Sequence, residues 1–346
     1  MKYLKLKRFS LLLGIAQLNR ATSIATAVCN GLFVLAGLSA SVAMAQEPNW
    51  PQRPVKIVVP YAAGGSSDSL GRLISVGLTE SLKQPFVIDN KPGAAGNLGA
   101  QMVARAPADG YTIGLFISAH SINPYINKNL PYDSKKDFIP LAMLALMPGL
   151  LTVNPTVPVK TVQELIALAK EKPGALAYGT PGGLTSGQLS MQYLIKLAGV
   201  NITEISYKGG GPALADLLAG HIQMLINSPT STIPYVRTDK LRGIATTGAK
   251  RPASLSDIPT IAESGFPGFE LYEWYALFLP AGTPPDIVTR LHAEVMKIMA
   301  SPAMVKRIAD IGAESSTDTP EQFAKFVEKE DQVWSKIIKE IGVRPE

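Results

Sequence analysis

Val55-Lys56-Ile57-Val58-Val59-Pro60-Tyr61-Ala62-Ala63-Gly64-Gly65-Ser66-Ser67-Asp68 runs from an apolar stretch, through a glycine-rich turn, into the polar start of a helix-like pattern. The continuous apolar run predicts a strand buried on both faces. The pattern from Asp68 to Leu82 places Leu70, Leu73, Ile74 and Leu82 at helical spacing. Strand, turn and helix in that order predict a strand–helix–strand unit of a parallel sheet. Glycines let the backbone approach a ligand, and the N–H groups of the following helix start point at one spot, at the positive end of its dipole. Ser66 and Ser67 add hydroxyl donors, and Asp68 is placed to cap the helix or to bond a hydroxyl or amine. The same residues also read as an ordinary turn with a helix cap.

The pattern recurs twice. Ala177-Tyr178 leads into Gly179-Thr180-Pro181-Gly182-Gly183-Leu184-Thr185-Ser186-Gly187, and Ile205-Ser206-Tyr207 leads into Lys208-Gly209-Gly210-Gly211-Pro212. Further strands are predicted at 85–89, 111–118, 202–207, 222–227, 241–246 and 269–279. Capping boxes at Thr161-Val162-Gln163-Glu164 and Thr319-Pro320-Glu321-Gln322 open helices, the second with proline at its first position. Ligands in open α/β sheets bind beyond the carboxyl ends of strands, where all three turns fall.

The chain has 346 residues and a formal net charge of +6. Its first 45 residues hold five of the basic residues (Lys2, Lys5, Lys7, Arg8, Arg20) and no acid, leaving 28 basic against 27 acidic residues beyond them. The basic balance therefore belongs to the leader, and no nucleic-acid-binding motif follows. That leader reads as an export signal: a basic start, an apolar centre at 31–38, and Ala43-Met44-Ala45 as a cleavage site before Gln46. An uncleaved anchor is the alternative reading. Cys29 is the sole cysteine, so the mature chain is expected to form no disulfide and no thiolate metal site. The apolar stretch 139–153 is too short, and too interrupted by Pro140 and Pro148, to span a bilayer.

Catalytic groups do not assemble in this reading. Gly183-Leu184-Thr185-Ser186-Gly187 carries threonine where a nucleophile elbow needs serine. His120, His221 and His292 have no zinc spacing, so no metal site and no cofactor is expected. Glu328, Glu330 and Asp331 read as a solvated helix face.

The run Trp50 to Gly65 resembles the mature start of the Bug family, periplasmic solute receptors of tripartite tricarboxylate transporters. The resemblance continues through Asn90-Lys91-Pro92-Gly93-Ala94-Ala95-Gly96-Asn97, Ala108-Asp109-Gly110-Tyr111-Thr112, Tyr207-Lys208-Gly209-Gly210 and Pro280-Ala281-Gly282-Thr283-Pro284, and spans essentially all of the mature chain. It implies an α/β, type II periplasmic-binding-protein fold of two α/β lobes with a ligand cleft between them. Residues 46–150 with 271–346 would form one lobe and residues 151–270 the other, after a signal peptide at 1–45. It implies a small organic-acid ligand, partly held through ordered water, on the turn Ala63, Gly64, Gly65, Ser66, Ser67 and Asp68. The second lobe would contribute Thr180, Gly182, Gly183, Thr185, Ser186, Lys208, Gly209 and Asn227, with Ser118 and His120 nearby. Tyr61 and Trp274 are aromatic neighbours whose direction the sequence leaves open. The implied protein is a monomeric periplasmic receptor, not an enzyme, whose partners are a carboxylate and membrane permease subunits. A sensor subunit for a signalling receptor and an exported enzyme on the same fold are the alternatives. Family members often read Thr-x-x-His-Leu after the second loop; here Gln188 stands in the histidine's place.

Overall fold

The computed structural model describes residues 50–182 and 184–344. The expected leader with its cleavage site after Ala45, Cys29, and Gly183 lie outside the described residues. From Pro51 onward the chain forms one unit.

The first segment alternates as the sequence predicts: β1 (Val55–Val59), α1 (Ser66–Leu82), β2 (Phe86–Asn90), α2 (Asn97–Ala104), β3 (Thr112–Ile117), α3 (Ala119–Ile126) and β4 (Phe138–Pro148). A second series follows, with β5 (Leu150–Val153), α4 (Val162–Glu171), β6 (Ala177–Thr180), α5 (Ser186–Ala198), β7 (Thr203–Ser206), α6 (Gly210–Ala219), β8 (Met224–Asn227), α7 (Pro229–Val236) and β9 (Arg242–Thr246). The chain then runs through β10 (Tyr272–Pro280), α8 (Pro285–Met299), α9 (Pro302–Asp310), β11 (Glu314–Ser315) and α10 (Pro320–Ile341). Two sheets result, in the orders β11-β4-β10-β3-β1-β2 and β7-β6-β8-β5-β9.

The expectation of a parallel sheet holds only in part. β1 pairs parallel with β2 and β3, and β6 parallel with β7 and β8. β10 lies antiparallel to β3 and β4, and β5 antiparallel to β8 and β9. The stretch 139–153, read only as too short for a membrane, supplies two of these strands. Pro140 is accommodated because the register shifts there: Leu277 faces Ala142 while Phe278 faces Pro140, so Leu141 is bulged out. A bulge is where a strand tolerates a residue without an N–H.

Two connections cross between the sheets, one at Gly149 and one over 247–271. They are tied together. Thr247 N–H donates to the Gly149 carbonyl at 2.9 Å, Gly149 N–H donates to Thr247 Oγ1 at 2.7 Å, and Thr247 Oγ1 donates to the Leu271 carbonyl at 2.6 Å. The two crossing segments are therefore knitted together by backbone and threonine hydrogen bonds.

α10 spans both cores. Phe323 near its start joins the aromatic cluster of the first sheet with Phe116, Phe138 and Phe278. Trp334, Ile337 and Ile338 join the cluster built mainly from the second series. Its predicted capping box is present: Thr319 Oγ1 accepts from Gln322 N–H at 3.2 Å, and Gln322 Oε1 accepts from Thr319 N–H at 2.9 Å. Thr319→Ala is expected to lower stability by about 1 kcal/mol, read as a fall of a few degrees in Tm without loss of ligand binding.

Glu330 corrects the reading of a solvated acidic face. Glu328 is exposed, but Glu330 is 4% exposed and accepts hydrogen bonds from Trp274 Nε1 at 3.2 Å and Trp334 Nε1 at 3.0 Å. Trp274 itself is fully buried in the core, so it is not a ligand-facing aromatic. Burial pushes the Glu330 carboxyl up to about 7, with the two indole N–H groups opposing.

Candidate functional site

Four helices begin at one cleft. The residue preceding α1 is Gly65, that preceding α6 is Gly209 and that preceding α7 is Ser228, and none of these three caps its helix through a side chain. α5 begins after Thr185, whose Oγ1 accepts from Gln188 N–H at 3.4 Å. The first-turn N–H groups of a helix have no partner within the helix. Their dipoles make such ends hospitable to negative charge.

The cleft has two chambers whose walls share Asn227 and Ser228. The outer chamber, about 420 Å³, is walled by Gly64, Gly65 and Ser66 on one side and by Gly210, Gly211 and Thr230 on the other. The inner chamber, about 170 Å³, reaches Thr185, Ser186 and Gly187 of the second series and Glu273 and Tyr275 of β10. No lysine, arginine or histidine lines either chamber among the described residues. Ser66 of the outer chamber hydrogen-bonds the Tyr275 hydroxyl of the inner one.

Of the residues the sequence singles out, Gly64, Gly65, Ser66, Thr185, Ser186 and Asn227 come together on these walls. The others stand elsewhere. Asp68 is buried and serves the turn: its Oδ2 accepts from Gly64 N–H at 3.0 Å and from Arg72 Nε at 3.0 Å. The Arg72 hydrogen bond, followed by that from Gly64, holds the Asp68 carboxyl below its ordinary value. Gly64 N–H is thus committed to the turn, as Gly209 N–H is to the Pro181 carbonyl at 2.9 Å. Ser67 is buried, Ala63 and Lys208 are exposed, and none of the three lines a chamber. Gly182 is required by shape: its φ is +78° and an added Cβ would stand 2.9 Å from the Tyr207 carbonyl.

His120 faces away from the cleft. Its ring stacks on Phe116 with centroids 4.7 Å apart and meets Phe138 edge-on at 5.0 Å. Burial in this aromatic nest pushes its pKa down to about 4, so the ring is neutral. Thr180 and Gln188 are likewise drawn elsewhere, to Glu204. Glu204 Oε1 accepts from Gln188 Nε2 at 2.8 Å and from Thr180 Oγ1 at 3.4 Å, and Oε2 accepts from Gln192 Nε2 at 2.8 Å and from the Tyr178 hydroxyl. The residue in the histidine's place is therefore a support behind α5, not a cleft residue.

Sequence reasoning missed Glu273. It lies half-buried in the inner chamber and accepts a hydrogen bond from the Ser186 hydroxyl across the cleft. Burial raises its pKa, while Ser186 and the nearby Ser118 pull it back. At strict hydrogen-bond geometry Oε1 and Ser118 Oγ are left without partners. Tyr61 and Tyr275 flank it, each with its ionisation pushed upward by burial first and by the Glu273 charge next. The available signal was a lone acid inside the apolar strand Tyr272–Pro280.

Two α/β halves, a knitted pair of crossing segments and a cleft ringed by helix starts are the features of a two-lobed solute-binding protein. A family model described as "Tripartite tricarboxylate transporter family receptor" (TctC) matches residues 70–343, and the chain belongs to this family of receptors rather than to an enzyme family. BugT of Bordetella pertussis is 32% identical over 317 residues, 91% of this chain and 96% of its own. A protein of the gbd 5′ region of Cupriavidus necator is 36% identical, over 89% of this chain and 93% of its own. Among solved structures, Rpa4515 of R. palustris with adipate superposes with a TM-score of 0.79 at 38% identity, covering 86% of this chain and all of that one. MatC from Rhodopseudomonas palustris with bound malate gives 0.74 at 31% identity, covering 84% of this chain and all of that one. Among the described residues no helix is long and apolar enough to cross a membrane.

Proposed function

We propose that this protein is an exported receptor that captures a small organic acid in the cleft and delivers it to the permease of a tripartite tricarboxylate transporter. The carrying observation is the meeting of four helix N-termini, three without side-chain caps, around chambers lined by no cationic side chain among the described residues. Such a site favours an anion through backbone N–H groups rather than through ion pairs. Hydrogen bonds to a charged group contribute about 1.5–3 kcal/mol each. A micromolar Kd corresponds to about −8 kcal/mol, so four or five such bonds offset by ordering costs are sufficient. The acids in two structural relatives, adipate and malate, agree with this chemistry.

In this reading residues 151–270 form one lobe and residues 46–150 with 271–346 the other, and the lobes close about the segments at Gly149 and 247–271. The ligand carboxylate rests on the start of α1 at Gly65 and Ser66, opposite Gly210 and Gly211. The leader ends at Ala45 and the mature protein works in the periplasm as a monomer. Calorimetry on the mature protein, stripped of co-purified ligand, against mono-, di- and tricarboxylic and aromatic acids is the test. Micromolar binding of at least one class is expected. Absence of binding across the panel would overturn the reading.

A further inference from the structure

Glu273 is out of place in a cleft built for anions. It is the one carboxylate in the wall of the inner chamber, and no cationic side chain shares that wall among the described residues. The side chains around it are neutral: Ser186 from the start of α5, Ser118 beyond β3, and the phenols Tyr61 and Tyr275. Oε2 is engaged by Ser186, whereas Oε1, though close enough to Ser118 to feel its hydroxyl and N–H, is enclosed without a well-aligned donor. A buried carboxylate oxygen without a donor is costly, and a ligand that supplies the donor recovers that cost. A ligand that brings a second carboxylate to the same place meets a like charge in a poorly hydrated chamber and is rejected.

Resting on the function proposed above, we infer that Glu273 sets ligand specificity: the cleft selects an organic acid whose carboxylate sits on the helix starts of the outer chamber and whose far end carries an N–H or O–H donor. That donor, an ammonium or a hydroxyl, bonds Glu273 Oε1. The preferred ligands are amino acids or hydroxy acids with the two groups separated along a chain or across a ring, not plain dicarboxylates. The two chambers, about 420 and 170 Å³, share Asn227 and Ser228 in their walls, and the inferred ligand reaches from one to the other past these residues.

The test is a matched series measured by calorimetry at pH 7.5 on stripped mature protein. One set is 4-aminobutyrate, 4-hydroxybutyrate, valerate and glutarate; the other is 4-aminobenzoate, 4-hydroxybenzoate, benzoate and terephthalate. In at least one set, the donor-bearing acids are expected to bind at least ten-fold tighter than the unsubstituted acid and the diacid. Glu273→Gln keeps an acceptor and removes the charge. It is expected to narrow the preference for the ammonium acid over the diacid at least ten-fold, with the hydroxy acid less affected. Diacids bound as tightly as donor-bearing acids by the wild-type protein would overturn the inference while leaving the receptor function standing. An unchanged ratio in Glu273→Gln would do the same. Failure of every acid to bind would remove both.

Discussion

Gly65→Leu is expected to weaken binding of the organic acid at least about 100-fold while leaving the ligand-free protein folded. Gly65 stands at the mouth of the cleft, immediately before the first residue of α1. Its φ is −80°, a conformation open to any residue. A Cβ built there meets only the Ala62 carbonyl, at 3.6 Å, an ordinary contact. The side chain would therefore project into the outer chamber without disturbing the turn. Loss of two N–H contacts to a charged group at about 1.5–3 kcal/mol each gives about 3–6 kcal/mol, which is two to four decades in Kd. The ligand-free Tm is expected to move by no more than about 3 °C, because an exposed cap position changes stability by roughly 1 kcal/mol or less. Gly187 is the contrasting case. There a Cβ would stand 2.7 Å from the Ile226 carbonyl, so bulk at Gly187 damages the fold as well as the cleft. Normal affinity in a folded Gly65→Leu protein would show that the ligand does not use the start of α1.

What the sequence displayed, and what it hid, follows from range. Local signals were legible. The strand-to-turn-to-helix passages at Gly65 and Gly210 and the capping box at Thr319 depend on neighbours a few residues apart, and the structure builds them as expected. β4 was hidden because Pro140 breaks the local strand pattern; only its partner β10, 138 positions later by the Pro140–Phe278 pairing, reveals the bulge that absorbs it. The antiparallel placement of β10 was hidden for the same reason. In the cleft, the glycine-rich turns marked the places where backbone approaches a ligand. They did not reveal which polar side chains were already spent. Asp68 Oδ2 is engaged by Gly64 and Arg72, and Gln188 Nε2 by Glu204, partners that the fold supplies. Glu273 was invisible as a site residue because the strand's apolar character argued for core, and only the fold, which sets it beside Ser186 of a distant helix start, shows that position 273 lines the chamber.

Among the described residues the cleft walls carry no cationic side chain, which bears on release of the ligand in the proposed function. A receptor that must release its cargo to a membrane partner gains from distributing attraction over partial charges at several helix ends. In the function proposed above, opening of the lobes would part the start of α1 from those of α5, α6 and α7, and each half alone would hold the anion weakly. An arginine fork on one lobe would retain the ligand after opening. Differential affinity between closed and open states is what allows one event to drive the other.

Two buried groups are expected to contribute opposing slopes to the stability of the wild-type protein across mildly acidic pH, and either of two single variants exposes one of them. Glu330, between Trp274 and Trp334, has its carboxyl raised to about 7 from an ordinary 4.5. The folded state therefore holds a proton that the unfolded state releases. This group's contribution is fullest below pH 4.5 and is lost as pH rises through about 7. Its span is on the order of 3 kcal/mol at 1.36 kcal/mol per pH unit. His120 acts in the opposite sense. Its pKa is lowered to about 4 from 6.5, so its contribution is full above pH 6.5 and is lost as pH falls through about 4. Between pH 4.5 and 6.5 the two slopes oppose and largely cancel. Glu330→Gln keeps an acceptor for the indole N–H groups and removes the charge. It is expected to stabilise the protein at pH 8 and to expose the His120 slope, so that stability climbs by on the order of 3 kcal/mol from pH 4 to pH 6.5. His120→Phe, filling the same aromatic nest, is expected to expose the reverse slope, falling from pH 4.5 to pH 7. Urea unfolding at half-unit pH intervals, followed by tryptophan fluorescence, reads both. Parallel profiles for Glu330→Gln and wild type would show that Glu330 keeps an ordinary ionisation in its buried position.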